Sequence, residues 1–207
     1  MGGSCLFRSI FFVIATVVLL LSAGSTRAKV IVNQSTKYYS VSGHTGEELA
    51  RSMIEGASGL TNKRDTIAAT EAEYRIGEAD IGVRNGRCVV LDANVVLDIT
   101  YHLPRWSNER TANPRLRSIW RKFHAELSKH ERTHGEIAEK GAGDLERALK
   151  NLSGTVAFNC NDFGAFAEGR LRFLAMLIQM RHDSFDRREN YPNSAITRLQ
   201  ISLIQTR

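Results

Sequence analysis

The sequence predicts an α+β fold in which an antiparallel β-sheet packs against a layer of helices. β-favouring runs dominate the first half of the chain, and helical periodicity dominates from about residue 115 onward. Of the 207 residues, 43 % are hydrophobic and 24 % are charged, with 16 Gly and only 3 Pro. This composition excludes a collagen-like, low-complexity or multi-span membrane protein, and the length suits one domain.

The first half is predicted to contain, in order, one or two strands at 30–42, a helix at 46–55 and two strands at 67–83 and 87–101. Thr45 followed by Glu48 forms a capping-box pattern that starts the helix. Asn85-Gly86 lies between the two later strands, and this dipeptide is the strongest short signal for a hairpin. Leu103-Pro104 is expected to close the sheet region.

The second half is predicted to be helical, with helices at about 115–140, 143–152 and 160–184. The tail that follows begins polar and ends in the apolar-periodic segment 196–204. This arrangement places the longest helix directly after the sheet region.

Residues 1–28 have the three parts of an export signal: a short start with one cation, an apolar run at 10–21, and a small and polar stretch that ends at Ala28. The run is shorter than the roughly 20 residues that a transmembrane helix needs, and an uncleaved signal anchor is the alternative. We therefore predict a periplasmic or secreted protein with no stable membrane anchor after cleavage, and a single domain over 29–207.

The charges are spread along the chain rather than grouped. The 28 Lys and Arg residues alternate with 22 Asp and Glu residues, for a net charge of +6. Removal of residues 1–28 would leave 26 cationic against 22 acidic residues, a net charge of +4. This pattern is typical of a solvated surface, so we expect no nucleic-acid partner.

Two cysteines, Cys88 and Cys160, would remain after signal cleavage. In an exported chain, two thiols most simply form one disulfide, and two separate buried thiols are the alternative. The chain has no CxxC pair, which argues against a thioredoxin-like or cysteine-rich zinc site.

One motif indicates chemistry: His130, Glu131 and His134 form H-E-x-x-H on the longest predicted helix. Four residues are just over one helical turn, so both imidazoles can bind a single Zn²⁺ ion, while Glu131 lies about 100° around the helix as a general base. Both histidines continue the apolar stripe of that helix and therefore face the core. The alternative is a pair of core histidines hydrogen-bonded to carboxylates or backbone.

A catalytic zinc ion usually has three protein ligands, and the third is less obvious. Lys140 occupies the position where a longer histidine motif would place its third ligand. Asp186, with His182 and Glu189 nearby, is our predicted third ligand, and Glu168 is the alternative because its spacing is like that of thermolysin-type enzymes.

Several short motifs occur in order along residues 38–186: Tyr38-Tyr39 leading to Val41, Gly43 and Thr45; Glu48-Leu49; Ala69-Thr70; Cys88; Leu103-Pro104-x-Trp106; Trp120-x-x-Phe123; and His130-Glu131-x-x-His134. In this order they resemble the bacterial DUF922 family, which is described as predicted secreted zinc-dependent proteases. The resemblance implies an exported bacterial protein with a zincin-like fold and site.

The chain departs from the family pattern after its last long helix. A Tyr-Asp-x-x-Thr-x-His-Gly segment is typical there, and Phe185-Asp186 matches its start. Glu189, Tyr191 and Pro192 replace the Thr and the His-Gly. If that histidine binds metal or aids catalysis in the family, Asp186 or Glu189 would have to substitute for it here.

Together these observations predict an exported zinc metallopeptidase that acts on a peptide or protein substrate. Two alternatives stay open: a catalytically inactive envelope binding or structural module that retains the motif, and a zinc amidase that acts on the cell wall. The shape of the pocket would separate the peptidase from the amidase. No oligomeric state is predicted.

Overall fold

The computed structural model describes residues 30–60, 66–151, 160, 163–189 and 191–206. The elements in chain order are β1 (Val30–Val41), α1 (Gly46–Gly56), β2 (Ala69–Arg84), β3 (Arg87–Trp106), a short 3-10 turn (Glu109–Thr111), α2 (Pro114–Asn151), α3 (Phe163–Glu189) and α4 (Ala195–Ile204). The predicted signal peptide, residues 1–28, lies outside the described residues. Within the described part of the chain, no helix is both long and apolar enough to span a bilayer.

The three strands form one mixed sheet in the order β1-β3-β2. β2 and β3 are antiparallel around Asn85 and Gly86, whose φ angles of 51° and 71° are those that a tight hairpin turn requires. β1 is parallel to β3, from Val30 opposite Val95 onward. The α+β class is confirmed, whereas the prediction of a purely antiparallel sheet is wrong, because the hairpin places β3 rather than β2 beside β1.

β3 is longer than predicted and continues through Pro104 to Trp106. Its pairing with β2 ends at His102, opposite Ala69, while its pairing with β1 continues to the end of the strand. The missing N–H of Pro104 therefore interrupts no ladder with β2, and the strand does not have to stop there.

α1 begins where the capping box predicts. The Thr45 hydroxyl accepts a hydrogen bond from the Glu48 amide at 3.2 Å, and the Glu48 carboxylate accepts one from the His44 amide at 2.6 Å. One N–H group of the first turn and one just before the helix thus have side-chain acceptors.

α2 is one continuous helix of 38 residues, so the predicted break near residue 141 is wrong. A Cβ atom at Gly141 would lie 2.6 Å from Ile178 Cδ1 on α3. The glycine therefore allows α2 and α3 to approach closely, and the packing gained there outweighs its low helix propensity. The predicted second helix is the C-terminal part of α2.

Two apolar cores lie along α2 and β3. The first core joins the middle of β3 to the C-terminal half of α2 and to α3, and comprises Ala93, Val95, Leu97, Ile99, Tyr101, Ala138, Ala142, Leu145, Leu149, Ala167 and Ile178. The second core joins the end of β3 and the N-terminal half of α2 to α1 and α4, and comprises Val41, Leu49, Met53, Ala68, Leu103, Trp106, Ala112, Leu116, Trp120, Phe123, Leu127 and Leu203. The H-E-x-x-H motif lies between them on α2.

The predicted disulfide between Cys88 and Cys160 is present, with Cα atoms 5.4 Å apart. It joins the start of β3, next to the hairpin turn, to the residue that stands three positions before α3. The position of α3 against the sheet is thereby restrained covalently.

Candidate metal site

Three side chains from two helices meet at the junction of the two cores. His130 and His134 lie one turn apart on α2, and Asp186 lies near the C-terminal end of α3. Asp186 Oδ1 is 2.9 Å from His134 Nε2 and 3.4 Å from His130 Nε2, and the two Nε2 atoms are 3.2 Å apart. The predicted pair of histidines and Asp186 are thus brought together by the fold.

The spacing of these atoms fits a metal ion. Tetrahedral ligands about 2.0–2.1 Å from a zinc ion lie roughly 3.3 Å from one another. Each side of the observed triangle is within about 0.4 Å of that spacing. Two imidazoles and one carboxylate suit zinc and similar divalent ions better than calcium or magnesium, which prefer oxygen ligands. His130, His134 and Asp186 can therefore hold a metal ion.

The cluster is largely removed from solvent. The side chains of His130, His134 and Asp186 are 13 %, 12 % and 24 % exposed. Phe185 packs on both imidazoles, with ring centroids 4.7 Å from His130 and 5.0 Å from His134. Polar groups as buried as these need polar partners. The three side chains can serve as partners for one another, or all three can bind one metal ion.

The two imidazoles differ in the surroundings of their second ring nitrogen. His134 Nδ1 lies 2.8 Å from Nδ1 of His182, which is one turn before Asp186 on α3. His130 Nδ1 is buried and has no hydrogen-bond partner among the described residues. His182 therefore lies behind His134, outside the triangle of ligand atoms.

Glu131 is 5 % exposed and also faces this region. Its Oε2 accepts a hydrogen bond from the Thr70 hydroxyl on β2 at 2.6 Å, and the same hydroxyl lies 3.0 Å from the Glu131 carbonyl oxygen. Burial raises the pKa of the Glu131 carboxyl above its usual range, partly offset by the Thr70 hydrogen bond. Its carboxylate is not one of the three clustered ligand groups.

A cavity of about 680 Å³ opens onto the cluster. Apart from the three clustered residues, Glu131 and His182, its wall is uncharged: Thr66, Ile67, Ala68, Ala69, Thr70, Ala72, Tyr74, Leu127, Ala175, Ile178, Gln179, Ile196 and Gln200. A cavity of this size and polarity is typical of a small-molecule or peptide site.

Glu168, the alternative third ligand, is not in the cluster. It precedes Asp186 by 18 residues on the same helix, which corresponds to about 27 Å along the helix axis. Its side chain is 63 % exposed and forms an ion pair with Arg172 at 2.6 Å. One helix cannot bring both carboxylates to one site.

Sequence reasoning missed two contacts of the site. Thr70 was part of a motif but had no assigned role, and its hydrogen bond to Glu131 joins residues 61 positions apart. Phe185 likewise had no assigned role, although it lies directly before Asp186. The Ala69-Thr70 motif was the one available signal for the first of these contacts.

Comparison with protein families agrees with the resemblance inferred from the motifs. The model of DUF922, described as a bacterial protein of unknown function, matches residues 36–193. The match covers more than half of the chain and includes His130, Glu131, His134 and Asp186, so this chain belongs to the DUF922 family. No curated protein and no solved structure matches the chain.

Proposed function

We propose that this protein is an exported zinc metallopeptidase that hydrolyses peptide bonds. The observation that carries the proposal is the triangle of His130, His134 and Asp186, whose ligand atoms have the spacing of a tetrahedral zinc site. A buried carboxylate, Glu131, stands directly beside it in sequence and faces the same cavity. These are the parts that hydrolysis of an amide by an activated water requires.

In this proposal, His130, His134 and Asp186 hold the ion. A bound zinc ion supplies Lewis-acid chemistry toward the amide carbonyl and the attacking water. Glu131 accepts a proton from that water and delivers it to the leaving amine. Its burial beside the cluster and its hydrogen bond to Thr70 hold the carboxylate in one position for both steps.

Thr70 orients the base. Its hydroxyl donates to Glu131 Oε2, which leaves Oε1 as the oxygen that exchanges the proton. Because Thr70 belongs to β2 and Glu131 to α2, this contact also fixes the separation of sheet and helix at the site. The uncharged wall of the cavity suits a peptide chain with uncharged side chains next to the scissile bond.

Metal analysis and a peptide-hydrolysis assay on the purified protein test the proposal. We expect His130→Ala, His134→Ala and Asp186→Ala to lose zinc and activity together. Glu131→Gln should keep zinc and lose activity by about 10²–10⁴-fold, since the proton then has no acceptor. Glu168→Gln is the matched control on α3 and should change neither property.

Two results would contradict this proposal. Full zinc occupancy in a His130→Ala, His134→Ala double variant would remove the metal site. Normal turnover by Glu131→Gln would leave the metal site in place and remove the mechanism.

A second candidate is an envelope metal-binding module without turnover. It is favoured by Tyr191 and Pro192, which stand where the family pattern has His-Gly. It predicts stoichiometric zinc with no hydrolysis of peptides or of cell-wall muropeptides. Activity on muropeptides alone would instead identify a cell-wall amidase with the same site.

The proposed export is tested by determining the N-terminus of the mature protein. Mass spectrometry of the envelope fraction should find a mature N-terminus between about Ala23 and Lys29, because the apolar run is followed there by small residues. An intact Met1 on a membrane-pelleting protein would favour the uncleaved anchor.

A further inference from the structure

We infer that His182 is a positioning residue for the metal: it accepts a hydrogen bond from His134 and thereby sets the tautomer and ring orientation of that ligand. This inference rests on the metal site of the proposed function, and nothing in the family description assigns a role to His182. It follows from one contact, the 2.8 Å separation between His134 Nδ1 and His182 Nδ1.

The direction of the hydrogen bond follows from the chemistry of imidazole. A His134 that offers its Nε2 lone pair to an ion carries its ring proton on Nδ1. That N–H points at His182 Nδ1, which must then be the nitrogen with the lone pair, so His182 carries its own proton on Nε2. Metal binding at His134 therefore specifies the tautomer of both rings.

The geometry supports a positioning role rather than direct ligation. His182 lies one turn before Asp186 on α3, so α3 provides one side chain to the ion and one to the back of a ligand. The His134 and His182 rings lie 28° from parallel with centroids 5.1 Å apart, which restricts rotation of His134. Removal of such partners typically lowers metal affinity by about 10–100-fold.

His130 provides the internal contrast. Its Nδ1 has no hydrogen-bond partner among the described residues, and its orientation depends on packing against Phe185, with centroids 4.7 Å apart. Phe185 packs on both imidazoles, so the difference between them is the hydrogen bond from His134 to His182, which His130 lacks among the described residues. Substitutions at position 182 should therefore act on the metal through His134, the ligand that His182 contacts.

The test compares zinc affinity, measured by competition with a chromophoric chelator, in three variants of the full mature protein. His182→Asn places its Oδ1 acceptor where the histidine has Nδ1, and we expect its affinity to stay close to wild type. His182→Gln moves the acceptor one bond further out and His182→Leu removes it, and both should bind zinc about 10–100-fold more weakly. Thermal unfolding of each metal-free variant controls for loss of fold.

Nitrogen-15 NMR of the zinc-loaded wild type gives a second readout that packing alone would not produce. We expect the ring proton of His134 on Nδ1 and that of His182 on Nε2. Wild-type affinity in His182→Leu, a loss in His182→Asn equal to that in His182→Leu, or the opposite pair of tautomers would overturn the inference. A wild-type protein that binds no zinc would instead overturn the proposed function itself.

Discussion

The two halves of α2 pack differently on either side of the H-E-x-x-H motif. The N-terminal half presents large side chains to the second core: Leu116, Trp120, Phe123 and Leu127. The C-terminal half first presents small residues to the sheet and to α3, namely Gly135, Ala138, Gly141 and Ala142, and presents large ones, Leu145 and Leu149, only toward its end. The H-E-x-x-H motif lies at the transition from one kind of packing to the other.

The size of the buried side chains in each half determines how closely neighbouring elements can approach the H-E-x-x-H motif. Large aromatic side chains hold neighbouring elements at a distance, as shown by the 5.6 Å separation of the Trp106 and Trp120 ring centroids. In the C-terminal half, a Cβ atom at Gly135 would lie 2.1 Å from the Tyr101 hydroxyl oxygen on β3, and one at Gly141 would lie 2.6 Å from Ile178 Cδ1 on α3. Close approach in this half brings α3, and with it Asp186, to the two histidines.

The largest expected effect is in the half with large side chains. Phe123 is completely buried, and Phe123→Ala should lower the free energy of unfolding by about 3–5 kcal/mol, because it removes buried apolar surface and leaves a cavity. Zinc affinity of the folded protein should be nearly unchanged, since Phe123 does not contact the site. Chemical denaturation measures the first quantity and chelator competition the second; a large loss of zinc affinity would show that the halves are coupled.

Reduction of the disulfide should affect the other half. The bond between Cys88 and Cys160 closes a loop with a sequence separation of 72 and restrains the chain just before α3. We expect the free energy of unfolding of the Cys88→Ser, Cys160→Ser variant to be about 4 kcal/mol lower than that of wild type, because the unfolded chain gains conformational freedom. Calorimetry of oxidised and reduced wild type provides the control, and equal melting temperatures would contradict the expectation.

Alanine substitutions at two glycines of α2 distinguish the effect of packing from the effect of helix propensity. Gly141→Ala places a methyl group 2.6 Å from Ile178 Cδ1 and should cost about 1–3 kcal/mol, with weaker zinc binding because α3 is pushed away. Gly143 is the matched control: its added Cβ would meet no atom nearer than 3.6 Å, the Arg147 Nη1 atom. Gly143→Ala should therefore stabilise the helix by up to about 1 kcal/mol.

Urea denaturation measures the free energy of unfolding of these glycine variants, and chelator competition measures their zinc affinity. A Gly141→Ala protein as stable as wild type, with unchanged zinc affinity, would show that the close approach of α2 and α3 does not control the site.

The smallest expected effect is at Tyr74, which joins β2 to the C-terminal half of α2. Its hydroxyl donates to the Ala138 carbonyl at 3.3 Å, so Tyr74→Phe should cost about 0.5–1.5 kcal/mol at neutral pH. Burial raises the pKa of Tyr74 to about 12, against 10 for a free tyrosine. The folded state therefore holds this proton more tightly, and wild type should lose stability between about pH 10 and pH 12.

The Tyr74→Phe variant lacks this titrating group. The difference between its free energy of unfolding and that of wild type should therefore shrink over the same pH range. Denaturation at pH 8 and pH 11 measures the change. A deficit that grows with pH would contradict the assigned cause.

The sequence by itself determined the features that depend on neighbouring residues. Asn85-Gly86 specifies the hairpin turn because both positions need positive φ, and Thr45 specifies the start of α1 through its side-chain acceptor. The relation of His130 to His134 follows from the pitch of one helix. Because Cys88 and Cys160 are the two cysteines outside the predicted signal segment, the sequence predicted their disulfide as well.

Only the tertiary structure decided which distant segments meet. It placed β1 parallel to β3, kept α2 continuous at Gly141, and brought Asp186 rather than Glu168 to the histidines. The physical reason is that local periodicity is set by contacts within a few residues, whereas these choices depend on how closely two packed surfaces can approach. The contacts of Thr70 with Glu131 and of His182 with His134 join different elements, so no pattern within either element identifies the partner.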